Sequence, residues 1–357
     1  MRNEEQIIKE IARRADGARS RTGSHSRAGL LRLGIGDDAA ILAPRRGTDW
    51  VVSCDAFLEG VHFLGGATPA DAVGWKTLVR ATSDLAAMGA APRLFFLTLA
   101  LPPEKAGAWL EQFAGGISRA ARRLGMRLAG GDTTANERVA ISVTVMGEVE
   151  RGKAVRRSGA RAGDIIYVSG KLGRAELGLR ILKGGMGGGR RDAALIRPHF
   201  YPEIRVELGK WLAARGVASA MMDISDGLST DLARLARASG VGARIWSERV
   251  PCVRVQEELA ARFRRGKHAL NALELALHGG DDYELLFTVP RRKARLLRRA
   301  PGETKMTAIG EITRQRRIAL VGEEGREEIL KLRGWESFSQ ELKSTFHMRE
   351  RRDCRAN

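Results

Sequence analysis

Two mixed α/β domains are the fold the sequence predicts, and three observations carry that expectation. The chain has 357 residues, which suits two domains at roughly 150 residues each. Apolar runs of strand character recur between segments of helical spacing along most of its length, the pattern of mixed α/β layers. One basic, polar, glycine-containing stretch, residues 150–163, interrupts the alternation. The expected division is a domain over 1–150, a domain over 151–345 and a basic tail over 346–357 with little to pack.

In the first domain, residues 5–15 place Ile7, Ile8, Ile11 and Ala12 at helical spacing, and the polar residues 16–27 read as a loop. Residues 50–54 predict a short strand. Residues 69–88 predict a long helix, with Pro69 near its start and Gly89 just past its end. The apolar run 94–101 reads as a buried strand stopped by Pro102-Pro103. Residues 104–124 read as a helix closed by Gly125, and residues 139–149, rich in Val and Ile, as a strand. The second domain opens with a strand at 164–169 and a helix at 174–182. Residues 184–189, glycine apart from Met186, read as a loop. Strand and helix candidates then alternate through 218–224, 228–238, 241–246, 271–277, 284–289, 306–311 and 317–321.

Composition narrows the function classes. Lys plus Arg is 61 against 42 Asp plus Glu, a formal charge of +19, so anionic partners are favoured. Aromatic residues are 5% and are not interleaved with the basic runs, so no stacking platform for nucleic acid is visible. Three cysteines without close spacing exclude a disulfide scaffold and a cysteine zinc site. The apolar run 94–101 is far short of the ~20 residues of a membrane helix. The charged start Met1-Arg2-Asn3-Glu4-Glu5 lacks a signal-peptide core, so the expected location is the cytoplasm.

The chemistry is carried by aspartates beside glycine or small residues, expected at strand ends. They are Gly36-Asp37-Asp38, Ser53-Cys54-Asp55, Ser83-Asp84, Gly130-Gly131-Asp132, Asp223-Ile224-Ser225-Asp226-Gly227 and Gly280-Asp281-Asp282. Each alone suits a turn or a helix cap. Converging, they would crowd like charges that a hard divalent cation offsets, and glycine lets backbone amides approach phosphate. Metal-assisted phosphoryl transfer is therefore the expected reaction class. Residues 226–231 read as a helix start, and free amides at a helix N-terminus suit a phosphate. His62, just downstream of Asp55, and Trp335, able to face a planar cation, are further candidates. Two phosphate motifs fail. The segment from Gly147 to Lys153 has Ala154 where a P-loop needs Ser or Thr, and Gly34 to Ala39 would set two carboxylates against a pyrophosphate.

In these motifs, together with Glu59-Gly60-Val61-His62-Phe63, Arg157-Ser158-Gly159 and Asp281-Asp282-Tyr283-Glu284-Leu285, the sequence resembles the thiamine-monophosphate kinases over about residues 31–338. The resemblance implies the aminoimidazole ribonucleotide synthetase-like architecture, an α+β fold of two mixed domains, with a homodimer built from the N-terminal ones. It implies transfer of the ATP γ-phosphoryl group to thiamine phosphate with no general base. It carries Mg²⁺ ligation onto Asp38, Ser53, Cys54, Asp55, Asp84, Asp132, Asp223 and Asp226. It carries ATP contact onto Gly131, Asp132, Arg157 and Ser225, and acceptor contact onto His62, Asp281 and Trp335. Cys54 stands where the family usually has Thr, and Asp281 where it usually has Glu. Another ATP-using enzyme of the superfamily, or a basic nucleic-acid-binding protein on the same scaffold, is the competing expectation; no membrane and no specific nucleic acid are expected as partners.

Overall fold

The structure is a computed structural model that describes residues 6, 10, 11, 13, 14, 30–35, 39–184, 189–264 and 270–336. Asp37 and Asp38, most of the glycine loop and the basic tail lie outside the described residues. Residues 6, 10, 11, 13 and 14 are helical, as their spacing predicts.

The first unit begins with a short antiparallel pair, β1 (Leu31–Leu33) and β2 (Ile41–Leu42). It continues through β3 (Thr48–Leu58), α1 (Ala70–Ala87), β4 (Ala91–Leu101), α2 (Ala108–Leu124), β5 (Arg127–Ala135) and β6 (Ala140–Glu150). Among the described residues β3 to β6 form a four-stranded sheet in the order β3-β6-β4-β5. β5 runs parallel to β4, so α2 is the crossover helix between them; the other pairings are antiparallel. Both helices pack on one face of the sheet, and Phe57, Leu78, Leu85, Phe95, Phe113, Ile117 and Val143 fill the core between the layers. α1 and α2 touch backbone to backbone. A Cβ on Gly116 would stand 2.0 Å from the Asp71 carbonyl oxygen, and one on Gly74 would stand 2.0 Å from that of Phe113.

The second unit contains β7 (Ile165–Ser169), α3 (Arg174–Lys183), α4 (Arg190–Phe200), α5 (Val206–Ala214), β8 (Ala220–Ile224), α6 (Leu228–Ser239) and β9 (Gly242–Trp246). Then follow α7 (Glu257–Arg264), α8 (Ala272–His278), β10 (Glu284–Val289), β11 (Met306–Thr313), β12 (Ile318–Val321) and β13 (Glu327–Ile329). Its strands form a seven-stranded sheet, again among the described residues, in the order β13-β12-β9-β11-β7-β10-β8, with only the β12–β9 pair parallel. α1 joins the halves. Beyond its own sheet it packs on α5, where a Cβ on Gly209 would lie 2.0 Å from the Ala86 carbonyl oxygen, and it also meets β8. This explains why α1 is buried nearly all round rather than along one stripe.

Two sequence expectations need correction. The helix expected over 104–124 is broken at Gly107, leaving a 3₁₀ turn (Pro103–Ala106) ahead of α2. Asp55, Asp84 and Asp132 are not at strand ends: Asp55 and Asp132 lie inside β3 and β5, and Asp84 lies in the last turn of α1. Gly131 serves close pairing, since a Cβ there would stand 2.0 Å from the Leu97 carbonyl oxygen of β4. Before the cap residue Gly227 of α6, Asp231 Oδ2 accepts from the amides of Ser225 and Asp226, at 3.1 and 3.0 Å, which fixes the turn that leads into the helix.

Candidate functional site

The site grows from two periodicities and one turn. On β3, Ser53 and Asp55 are two residues apart and point toward α1, while Cys54 points to the opposite, exposed face, its Sγ 3.5 Å from Ser142 Oγ. On α1, Lys76, Arg80 and Asp84 recur every four residues and so lie on one face. On the second unit, β8 ends at Ile224 and its turn into α6 carries Ser225 and Asp226, with Asp223 the last residue but one of the strand.

These faces meet. Ser53 Oγ donates to Asp84 Oδ2 at 2.5 Å, and Arg80 Nε stands 3.3 Å from Asp55 Oδ2. Burial raises the Asp55 carboxyl; Arg80 opposes that, and the charges of Asp84 and Asp226 add to it. Asp223 is raised further, first by burial and then by Asp84, with Ser83 and Arg157 opposing. Asp55 and Asp84 of the first unit thus share one electrostatic environment with Asp223 and Asp226 of the second. Arg234 pairs with Asp226 and, at 2.9 Å, with Asp231. Burial, then the Asp226 charge, pushes the Asp231 carboxyl up to about 6.

On the other side of Arg80, His62 Nδ1 accepts the Leu58 amide at 3.0 Å, which assigns the ring proton to Nε2. Burial, together with the charges of Arg80 and Lys76, lowers His62 to about 4, so it is neutral near pH 7. Asp281 carries φ +67 and Tyr283 φ +51, the two non-glycine residues with left-handed backbone among those described. The Asp281 carboxylate receives Lys76 Nζ at 2.7 Å and the Tyr283 hydroxyl at 2.7 Å. Burial alone would raise it, but Lys76, with His199 and the Tyr283 hydroxyl, holds it well below the usual carboxylate range. The Asp281 amide donates to the Ser225 carbonyl, fixing this loop beside Asp226. The Trp335 amide donates to the Asp226 carbonyl at 2.9 Å, while its side chain is exposed.

The seam between the two units therefore brings together Ser53, Asp55, His62, Asp84, Arg157, Asp223, Ser225, Asp226, Asp281 and Trp335. It does not gather the rest. The Cys54 thiol is on the far face of β3, and Gly131 and Asp132 are exposed on β5, an edge strand, where the Asp132 carboxylate makes no hydrogen bond or ion pair with another described residue. Among the described residues, no three acidic, histidine or cysteine side chains already enclose an ion. Lys76, Arg80, His199 and Tyr283 were missed by sequence reasoning. The available signal was two cations one turn apart, on the helical row that leads to Asp84, in a helix otherwise rich in Ala, Val and Leu.

Residues 36–149 match the AIR synthase related protein N-terminal domain, and residues 161–323 match its C-terminal domain. The thiamine-monophosphate kinase of Salmonella typhimurium is 37% identical over 287 residues, covering 79% of this chain and 85% of that protein. The chain belongs to the thiamine-monophosphate kinase family. The Synechococcus elongatus member is 36% identical and covers 85% of this chain and 91% of its own. The crystal structure of the Stenotrophomonas maltophilia kinase superposes with a TM-score of 0.74 at 37% identity, over 85% of this chain and 93% of that one. AaThiL complexed with AMPPCP and TMP superposes with a TM-score of 0.71 at 34% identity, over 85% and 92%. The E. coli hydrogenase maturation protein HypE, at 20% identity and a TM-score of 0.70, shares the fold.

Proposed function

We propose that this chain transfers the γ-phosphoryl group of ATP to thiamine monophosphate, giving thiamine diphosphate and ADP, as its membership of the thiamine-monophosphate kinase family indicates. The observation that carries the reading is the convergence of acids from both units, Asp55 and Asp84 with Asp223 and Asp226, in one electrostatic environment beside Arg157.

The donors fit Mg²⁺. They are oxygen-only, and burial, with the charges of neighbouring acids adding to it, already raises Asp55 and Asp223. An ion held by one or two carboxylates plus phosphate oxygens needs no closed protein cage, so the absence of a three-residue enclosure among the described residues agrees with this chemistry. Asp55, Asp84, Asp223 and Asp226 would hold it, with Ser53 orienting Asp84; Asp38, Asp132 and Cys54 are ligands on family grounds, and the Cys54 thiol, on the far face of β3, is not the donor. Bound Mg²⁺ supplies charge neutralisation between two phosphorylated substrates.

The chain's own residues do the rest. Arg157, beside Asp223, contacts ATP phosphate, with Gly131, Asp132 and Ser225 completing the nucleotide site. His62 is neutral and offers its Nε2 proton as a hydrogen-bond donor to the acceptor's phosphate. Trp335 offers an exposed aromatic face to the thiazolium, and Asp281 provides nearby negative charge although Lys76 already occupies one of its oxygens. The acceptor is an anion, so no side chain need remove a proton, and catalysis reduces to positioning and electrostatics. We assign residues 1–150 to the nucleotide-binding half and to the contact of a homodimer, residues 151–345 to the half that completes the site, and the reaction to the cytoplasm. No helix among the described residues is long and apolar enough to cross a membrane.

The test is ADP release coupled to a reporter, with thiamine monophosphate, free thiamine or aminoimidazole ribonucleotide precursors as acceptor. Turnover with thiamine monophosphate alone is expected. Equal ADP release without any acceptor would remove the assignment.

A further inference from the structure

One cation in this seam has no role in the scheme above. Arg80 is half-buried on α1, its side chain 17% exposed, and its Nε lies 3.3 Å from Asp55 Oδ2. That contact lacks hydrogen-bond alignment, because Arg80 Nε is a buried donor without a hydrogen-bond partner among the described residues. The guanidinium also lies over the Phe57 ring, its Cζ 5.2 Å from the centroid. Its other charged neighbours, Asp226 and Asp281, belong to the second unit. A charge in this setting is held by Coulomb attraction and ring contact, which tolerate displacement, and not by a directed fork such as Arg205 makes on Glu284.

We infer that Arg80 is a resident counter-ion of the carboxylate cluster, competing with a divalent cation for Asp55. The inference rests on the proposed role of Asp55 as a metal ligand. Asp55 has neighbours of like charge in Asp84 and Asp226, and a cation must offset them before any substrate arrives. Arg80 supplies one positive charge from within the chain and cannot lose it, since a guanidinium stays protonated. A divalent ion approaching Asp55 meets that charge as repulsion and must displace it. Metal entering with nucleotide brings phosphate oxygens that complete its coordination and give the displaced guanidinium an anion to face. The nucleotide-free protein should therefore bind metal weakly at Asp55, and metal should load with ATP.

The test is titration of the full chain with Mn²⁺ alone, free metal being read by electron paramagnetic resonance. Arg80→Met should create or tighten one site at least tenfold, and Asp55→Asn in the Arg80→Met background should abolish the gain. Arg80→Lys, which keeps the charge, should bind as the wild type does. Asp55→Asn in the wild-type background should leave nucleotide-free Mn²⁺ binding unchanged, a measurement that stands even if Arg80→Met fails to fold. Equal Mn²⁺ affinity in wild type and a folded Arg80→Met, or weakened affinity in Asp55→Asn alone, overturns the inference. ADP release with thiamine monophosphate, measured on the same wild-type sample, separates the two failures. Activity with unchanged Mn²⁺ binding sinks the counter-ion alone, whereas no activity sinks the functional reading.

Discussion

Asp84 receives a hydrogen bond from Ser53 on one unit and shares the field of Asp223 on the other. Asp84→Asn keeps shape and volume but removes the charge. It should leave the melting temperature near wild type and lower kcat/KM for thiamine monophosphate at least 100-fold, about 2.7 kcal/mol at 1.36 kcal/mol per tenfold. Turnover within about threefold of wild type at saturating Mg²⁺ would exclude Asp84 from the metal set. Trp335 makes a different kind of contribution. Its backbone is tied to Asp226 and its side chain is exposed, so the ring is not a core filler. A tryptophan face attracts a cation by ~0.5–2 kcal/mol, so Trp335→Ala should raise the KM for thiamine monophosphate about 2- to 30-fold and leave that for ATP nearly unchanged. Equal shifts in both constants would take Trp335 off the acceptor side. Among single residues, most candidates were legible because an aspartate beside glycine is conspicuous in a sequence. Lys76 and Arg80 were not, because a lysine or arginine in a helix ordinarily faces water, whereas Lys76 meets Asp281 and His199 of the second unit and Arg80 lies against Asp55 and Phe57 of β3.

At the scale of elements, strands and helices with a strong period were readable and those serving close contact were not. The helix expected over 69–88 became α1 with Pro69 at its start, and the strand over 284–289 matches β10. β5 was missed because Gly130-Gly131-Asp132 has the composition of a turn, whereas the glycines are there to let β5 lie against β4. α4 was missed because Pro198 stands near its end and polar residues dominate it. That helix nevertheless presents buried His199 to Lys76 of α1, at 3.4 Å between Nδ1 and Nζ. Burial, then the Lys76 charge, lowers His199 to about 3 from an ordinary 6.5. The folded protein therefore declines a proton that the unfolded chain accepts below pH 6.5. Stability from this contact is present above pH 6.5 and drains as pH falls toward 3. Asp231 and Asp282, raised to about 6 and about 7 chiefly by burial, act in the opposite sense as pH rises, so the whole-protein curve mixes the two. A variant isolates the histidine. In His199→Asn, the loss of unfolding free energy between pH 7 and pH 5 should be smaller than in wild type by roughly 2 kcal/mol, 1.36 kcal/mol for each unit between 6.5 and 5. Denaturant unfolding at the two pH values measures it, and identical losses in both proteins would show that His199 does not resist protonation.

The whole molecule leaves one face to be accounted for. The sheet of the first unit is covered by α1 and α2 on one side, while on the other the alternate residues of β3, Val52, Cys54 and Ala56, are exposed, Val52 by 55%. Thr98 of β4 is exposed on the central region of the same sheet. These residues are small or apolar and carry no charge, unusual for open surface on a chain of formal charge +19. A second copy of the chain meeting the β3 side of this face would bury these uncharged residues, with Asp132, opposite Thr98 on β5, the exposed acid at its far side. This supports the homodimer we propose through the N-terminal domain. Light scattering at micromolar concentration should give twice the mass of the chain. Val52→Asp places a carboxylate, and in a two-fold contact its symmetry mate, on an apolar patch that would have to desolvate both, so the variant should run at the mass of one chain. Its melting temperature at low protein concentration should stay near that of wild type, since Val52 contributes nothing to the core of its own chain. A wild-type mass equal to one chain, or a Val52→Asp variant that still dimerises, would move the contact away from this sheet.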